Sequence, residues 1–125
     1  MWTKTLTVLA LAMVVAGCGS SSSYSSNNPS PMPIPAGPNT VLVPNGAYLG
    51  PGSGFTPTTL TVASGTTVVW GNNDVTAHTT TADGGQWNSS NINPGATFSL
   101  QLNNPGTYTY HCSIHPFMNG KIVVQ

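Results

Sequence analysis

Four possible metal donors sit in an arrangement that few folds can satisfy. Cys112, His115 and Met118 recur at three-residue intervals inside the run Cys112-Ser113-Ile114-His115-Pro116-Phe117-Met118, while His78 lies far upstream in Asp74-Val75-Thr76-Ala77-His78-Thr79. A thiolate, two imidazoles and a thioether are soft to borderline donors that select copper, and a Cys/His₂ plane with a weak axial Met describes an electron-transfer site. Two x₂ spacings put three donors on one tight loop at little entropic cost. The chain must then return to bring His78 against that loop, with His78 expected from the opposite sheet, which demands a packed body with several crossings.

The pattern around the donors is period two. Leu60 and Val62 alternate with Thr59 and Thr61, Ala63-Ser64-Gly65 turns, and Val68 and Trp70 continue the alternation. Phe98, Leu100 and Leu102 make another apolar row, Asn103-Asn104-Pro105-Gly106 turns, Tyr108, Tyr110 and Cys112 form the next row, and Ile122 and Val124 close the chain. Short strands between Gly, Pro and Asn clusters, with no useful helical window, predict an all-β fold, an antiparallel Greek-key β-sandwich. Cys112 shares the aromatic face of its strand, which places it at the dry end of the core. His111 points to the opposite face and is expected to be a surface or supporting residue rather than a ligand.

Upstream of the strands the composition changes twice. Leu6 to Val15 is an almost unbroken apolar run after Lys4, too short for a permanent span, and small residues close it at Val15-Ala16-Gly17-Cys18. Residues 1–17 read as a signal peptide. Val-Ala-Gly-Cys resembles the lipobox of bacterial lipoproteins, which implies that Cys18 is lipidated and anchors the chain to a membrane. Residues 18–39, rich in Ser, Asn and Pro, read as a linker reaching roughly 25 Å as a coil and about 65 Å extended. Residues 40–125 remain as one small domain. With Cys18 lipidated, Cys112 has no disulfide partner, so its thiol is free for a metal.

Charge excludes several classes of partner. After the signal segment only Lys121, Asp74 and Asp83 are formally charged, leaving a balance of minus one. No basic stripe is available for nucleic acid. Nor is there a Ser/His/Asp elbow, a working pair of carboxylates or a phosphate-cradling glycine motif, and no enzyme is expected.

The segment Tyr108-Thr109-Tyr110-His111-Cys112-Ser113-Ile114-His115-Pro116-Phe117-Met118-Asn119-Gly120-Lys121-Ile122-Val123-Val124 resembles the C-terminal strand, loop and strand of the amicyanins, within the plastocyanin-like cupredoxins. Phe55 to Val62 and Thr66 to Trp70 are similar to that family too. The resemblance implies one copper ion cycling between Cu(I) and Cu(II) on His78, Cys112, His115 and Met118, with His115 as the electron port. It also implies a protein donor and acceptor meeting an apolar patch near His115, Pro116 and Phe117, over an interface under about 1,200 Å². A monomer held by lipid in a bacterial cell envelope is the expected form. Many members of the family carry Asn after the first histidine, tying the two ligand loops together; here Thr79 stands there, and a hydroxyl pair with Ser113 is expected to replace the amide.

Other uses of the same donors fit this sequence less well. Copper capture or delivery needs a more open, exchangeable site than a core-facing Cys112 provides. A binuclear purple centre needs a second Cys in the loop, and zinc is a competitor for a Cys/His₂ set in a foreign host.

Overall fold

A computed structural model describes residues 32–125; the expected signal segment, Cys18 and most of the linker lie outside the described residues. Seven strands form two sheets: β1 (Thr40–Val43), β2 (Thr59–Val62), β3 (Thr66–Asn72), β4 (Thr81–Ala82), β5 (Thr97–Leu102), β6 (Gly106–His111) and β7 (Asn119–Val124), with a short 3₁₀ turn at Ala47–Leu49. One sheet has the order β1-β3-β5 and the other β2-β7-β6-β4. Consecutive strands from β1 to β6 alternate between the sheets, and only β6 and β7 follow one another within a sheet. This is the all-β sandwich that the alternation predicts.

Because the chain crosses the sandwich twice before returning to a sheet, neighbours can run the same way without a crossover helix. The β1–β3 and β2–β7 pairs are accordingly parallel, while β3–β5, β4–β6 and β6–β7 are antiparallel.

Period-two burial follows the sequence. Val68 and Trp70 of β3, Tyr110 of β6, and Ile122 and Val124 of β7 face the core, while Thr59, Thr61, Thr107 and Thr109 face solvent. Trp70 carries the contact between the layers, its ring 5.7 Å and edge-on to Tyr110 of the other sheet and 5.8 Å from Phe98 beside it. Such pairs contribute about 0.5–1.5 kcal/mol beyond their area. Gly120 leaves room for Tyr110: a Cβ at that position would overlap the ring and hydroxyl.

Folded contacts begin upstream of β1. Ile34 is hydrogen-bonded to Asn73, and the Asn39 carbonyl accepts from Val69 N–H at 2.9 Å. Among the described residues no helix is long and apolar enough to cross a membrane.

Candidate metal centre

The end of the sandwich where β3 leaves and β6 turns into β7 gathers the donors. His78 was expected from the opposite sheet; it lies instead on the β3–β4 crossover, held by an isolated bridge with Ile92 whose two main-chain bonds are 3.2 and 2.7 Å. The reason is topological: β4 belongs to the same sheet as β6, so the crossover passes over the end of the core where Cys112 sits.

Cys112 follows β6 immediately. Its N–H donates to the Met118 carbonyl at 3.0 Å, and Met118 N–H donates to the His115 carbonyl at 2.9 Å, so residues 113–117 close as a tight turn. Cys112, His78 and Met118 are buried; His115 is half-buried at the tip. Gly54 packs against Met118 from the β1–β2 connection, where an added Cβ would lie 3.6 Å from the Met118 Cα.

Three donor atoms make a small triangle. Cys112 Sγ lies 3.8 Å from His78 Nδ1 and 3.7 Å from His115 Nδ1, and the two Nδ1 atoms are 3.2 Å apart. Ligands about 2.0–2.3 Å from a common centre subtend a triangle of this size. Among the described residues His78, Cys112 and His115 converge as a group able to hold a metal ion. The soft donor set fits copper.

The imidazole orientation is set from behind. His78 Nε2 is 2.8 Å from Asp74 Oδ2, both side chains being out of water, and 3.1 Å from Thr76 Oγ1. An ionised carboxylate only accepts, so Nε2 carries a proton; Nδ1 then donates toward Cys112 while the ring is charged and turns a lone pair into the triangle once it is neutral. Asp74 is itself fixed: Gly46 N–H, Tyr48 N–H and Val75 N–H donate to it at 2.9, 3.2 and 2.8 Å. Gly46 adopts φ +85° to aim its amide there, a conformation that favours glycine. Buried Asn72 completes the support, donating to the Thr76 and Ile92 carbonyls and accepting Asp74 N–H.

Electrostatics favour a thiolate. Burial opposes ionisation of Cys112, but hydrogen bonds from His78, the Thr79 amide and His115 outweigh it and bring the thiol from 9.0 down to about 6. Burial likewise opposes charge on His78, yet Cys112 and then Asp74 raise its pKa. For Asp74 burial raises the pKa, and the Gly46 amide, His78 and the Val75 and Tyr48 amides together lower it below 3.8.

Thr79 ties the two ligand loops. Its N–H donates to Cys112 Sγ at 3.3 Å and its Oγ1 accepts Ser113 N–H at 2.8 Å. The hydroxyl link expected between Thr79 and Ser113 runs through a third residue: Thr79 Oγ1 is 3.2 Å from Thr81 Oγ1, which is 3.0 Å from Ser113 Oγ. His111 stays outside the cluster, 2.6 Å from Asp83 on the outer face. Sequence reasoning missed Asp74 and Asn72 as supports. The available hint was the scarcity of charge, since one of two acids stands four residues before the upstream histidine.

A family model described as a cupredoxin-like domain matches residues 8–124. Over 69 residues the chain is 33% identical to an amicyanin-alpha of Methylorubrum extorquens, covering 51% of this chain and 58% of that protein. An amicyanin of Paracoccus versutus is 30% identical over 71 residues, covering 53% and 54%. The matched segment therefore spans little more than half the length of these relatives. Among solved structures, a purple cupredoxin from Nitrosopumilus maritimus aligns with a TM-score of 0.65 at 31% identity, over 69% of this chain and 98% of that one.

Proposed function

The chain belongs to the cupredoxin-like domain family, and from that premise we propose that it carries single electrons between redox proteins through one copper ion held by His78, Cys112, His115 and Met118. The observation that carries the reading is the triangle of Cys112 Sγ and two Nδ1 atoms, with sides of 3.2 to 3.8 Å, at the end of a packed core. Copper bound there would supply a one-electron Cu(I)/Cu(II) couple. The residues of the chain supply rigidity and dryness. Cys112 presents its sulfur from the core, Asp74 holds His78 in one tautomer, and the 113–117 turn keeps His115 and Met118 in register with Cys112. Ligands locked in this way do not rearrange between oxidation states.

His115 is the proposed electron port. Exposed Pro116, Ile114 and Phe117 surround it, the Phe117 ring 6.0 Å from the imidazole, and an apolar rim of this kind suits a small, short-lived interface. Lipidation of Cys18 would place the protein, as a monomer, on a bacterial envelope membrane. The VAGC sequence and the polar linker support that assignment.

The test is a visible spectrum of the oxidised, copper-loaded domain, in which an intense thiolate-to-copper band is expected and Cys112→Ala abolishes it. Repeated redox cycling without metal loss separates carriage from delivery, and release of copper at each cycle would favour delivery instead. Phase partitioning of the full chain against Cys18→Ala tests the anchor.

A further inference from the structure

Ile34 is held by the side chain of Asn73 as though by a strand partner. Its N–H donates to Asn73 Oδ1 at 2.7 Å, and its carbonyl accepts from Asn73 Nδ2 at 2.9 Å. One amide thus satisfies both main-chain groups of a residue that precedes β1. The seat beneath Ile34 is cut for it: a Cβ on Gly71 would stand 3.0 Å from Ile34 Cδ1 and Cγ2.

This clip reverses the entry of the chain. Strand β1 runs parallel to β3, toward the end that carries the metal centre, so a chain entering β1 directly would arrive from the opposite end. A turn at Gly37, whose carbonyl accepts Thr40 N–H at 3.2 Å, sends the preceding residues back alongside β3 instead. Upstream of the clip, Met32 and Pro33 share a cavity of about 250 Å³ with Asn73, Asp74, Val75 and Pro94. Asp74 is the residue on which His78 rests. The chain therefore leaves the fold beside the metal centre.

We infer that the Ile34–Asn73 clip makes the anchored protein present its metal end to the bilayer, and that its redox partner is a membrane-bound protein whose electron-exchanging group lies near the headgroups. The inference rests on the copper and lipid readings already proposed. From Cys18 to Met32 the chain reaches roughly 20 Å as a coil and about 50 Å when extended. A domain of this length has a radius of gyration of about 12 Å. Exit at the metal end keeps the centre within the coil reach of the surface. Exit at the other end would add the length of the domain to that distance.

The lipidated, copper-loaded full chain is bound to phosphatidylcholine/phosphatidylglycerol vesicles that carry a red-emitting dye on a headgroup, and dye emission is followed as the protein is oxidised and reduced. The oxidised site absorbs in the red and quenches a dye held close to it, so emission is expected to fall on oxidation and recover on reduction. In Asn73→Ala the quenching is expected to be largely lost, with loss of hydrogen-exchange protection at the Ile34 amide. Ile34→Pro, which deletes the N–H and leaves Asn73 intact, is expected to read the same way should Asn73→Ala not fold. Wild-type protein that floats with the vesicles and shows its band but does not quench overturns the orientation, as does quenching unchanged in both variants. Failure to float overturns the inference through the anchor, and absence of the band overturns it through the metal, each seen in a separate measurement.

Discussion

Asp74 stands directly behind His78, its Oδ2 2.8 Å from the imidazole Nε2, with both side chains fully buried. The domain spends one of its two acidic residues on a position with no access to water, and main-chain amides hold that carboxylate in place. A carboxylate on the outer nitrogen of a ligating histidine fixes its tautomer and raises its basicity. The contact therefore belongs to the metal centre as much as the donors do.

Replacing that carboxylate by its neutral isostere separates charge from shape. Asp74→Asn is expected to keep the fold and the thiolate-to-copper band, to raise the reduction potential, and to weaken metal binding by roughly 10–100-fold. Voltammetry and chelator competition read the two effects. Unchanged potential and affinity would make the contact merely structural.

The metal-free protein has a pH signature at Cys112. Its folded pKa of about 6 lies below the unfolded 9.0, so its ionisation contributes stability that is complete above pH 9.0 and lost as pH falls through about 6. His78 works in the opposite sense, its raised pKa contributing stability that is present below 6.5 and lost as pH rises through the folded value. Thiolate absorbance in the ultraviolet should titrate with a midpoint near 6, and His78→Ala should move that midpoint upward. A midpoint above 8 in the wild-type protein would contradict the hydrogen-bonded arrangement.

Thr79 is the hinge between the ligand loops. Thr79→Val keeps the β-branched shape but leaves Ser113 N–H without its acceptor and breaks the hydroxyl relay through Thr81. A loss of about 1–2 kcal/mol is expected by denaturant unfolding, together with a shifted thiolate-to-copper band. Thr79→Asn, which offers an amide oxygen at the same place, should recover most of both.

Gly120 tests the packing beneath the site. A methyl group there overlaps the buried Tyr110 ring, so Gly120→Ala is expected to cost about 1–3 kcal/mol and to lower the melting temperature. Gly85 faces open space at φ +78°, so a loss at Gly85→Ala would report backbone strain alone and serves as the contrast.

Salt should matter little to electron exchange. Asp83 pairs with His111 on the outer face of the four-stranded sheet, Lys121 lies on the same face, and the rim around His115 carries Ile114, Pro116 and Phe117. Without steering charges near the port, rates with an anionic and with a cationic mediator, measured by stopped flow across a salt series, should both stay nearly flat. A steep slope would show that charges on the outer sheet face govern the encounter.

Much of this protein is written locally in its sequence. Period-two alternation places Val68, Trp70, Tyr110 and Ile122 on one face of their strands whatever the partner sheet, and spacing alone puts Cys112, His115 and Met118 on one turn. What alternation cannot encode is which strand lies beside which. The crossing of the chain from sheet to sheet decided the parallel β1–β3 and β2–β7 pairs, and it carried His78 over the core's end on a crossover instead of on a facing sheet. The contacts of Asp74 with Gly46 and Tyr48, of Thr79 with Ser113, and of Ile34 with Asn73 join residues distant along the chain. Hydrogen bonds of that kind exist only once separate loops have been brought to one end of a packed body, so only the tertiary structure could show them.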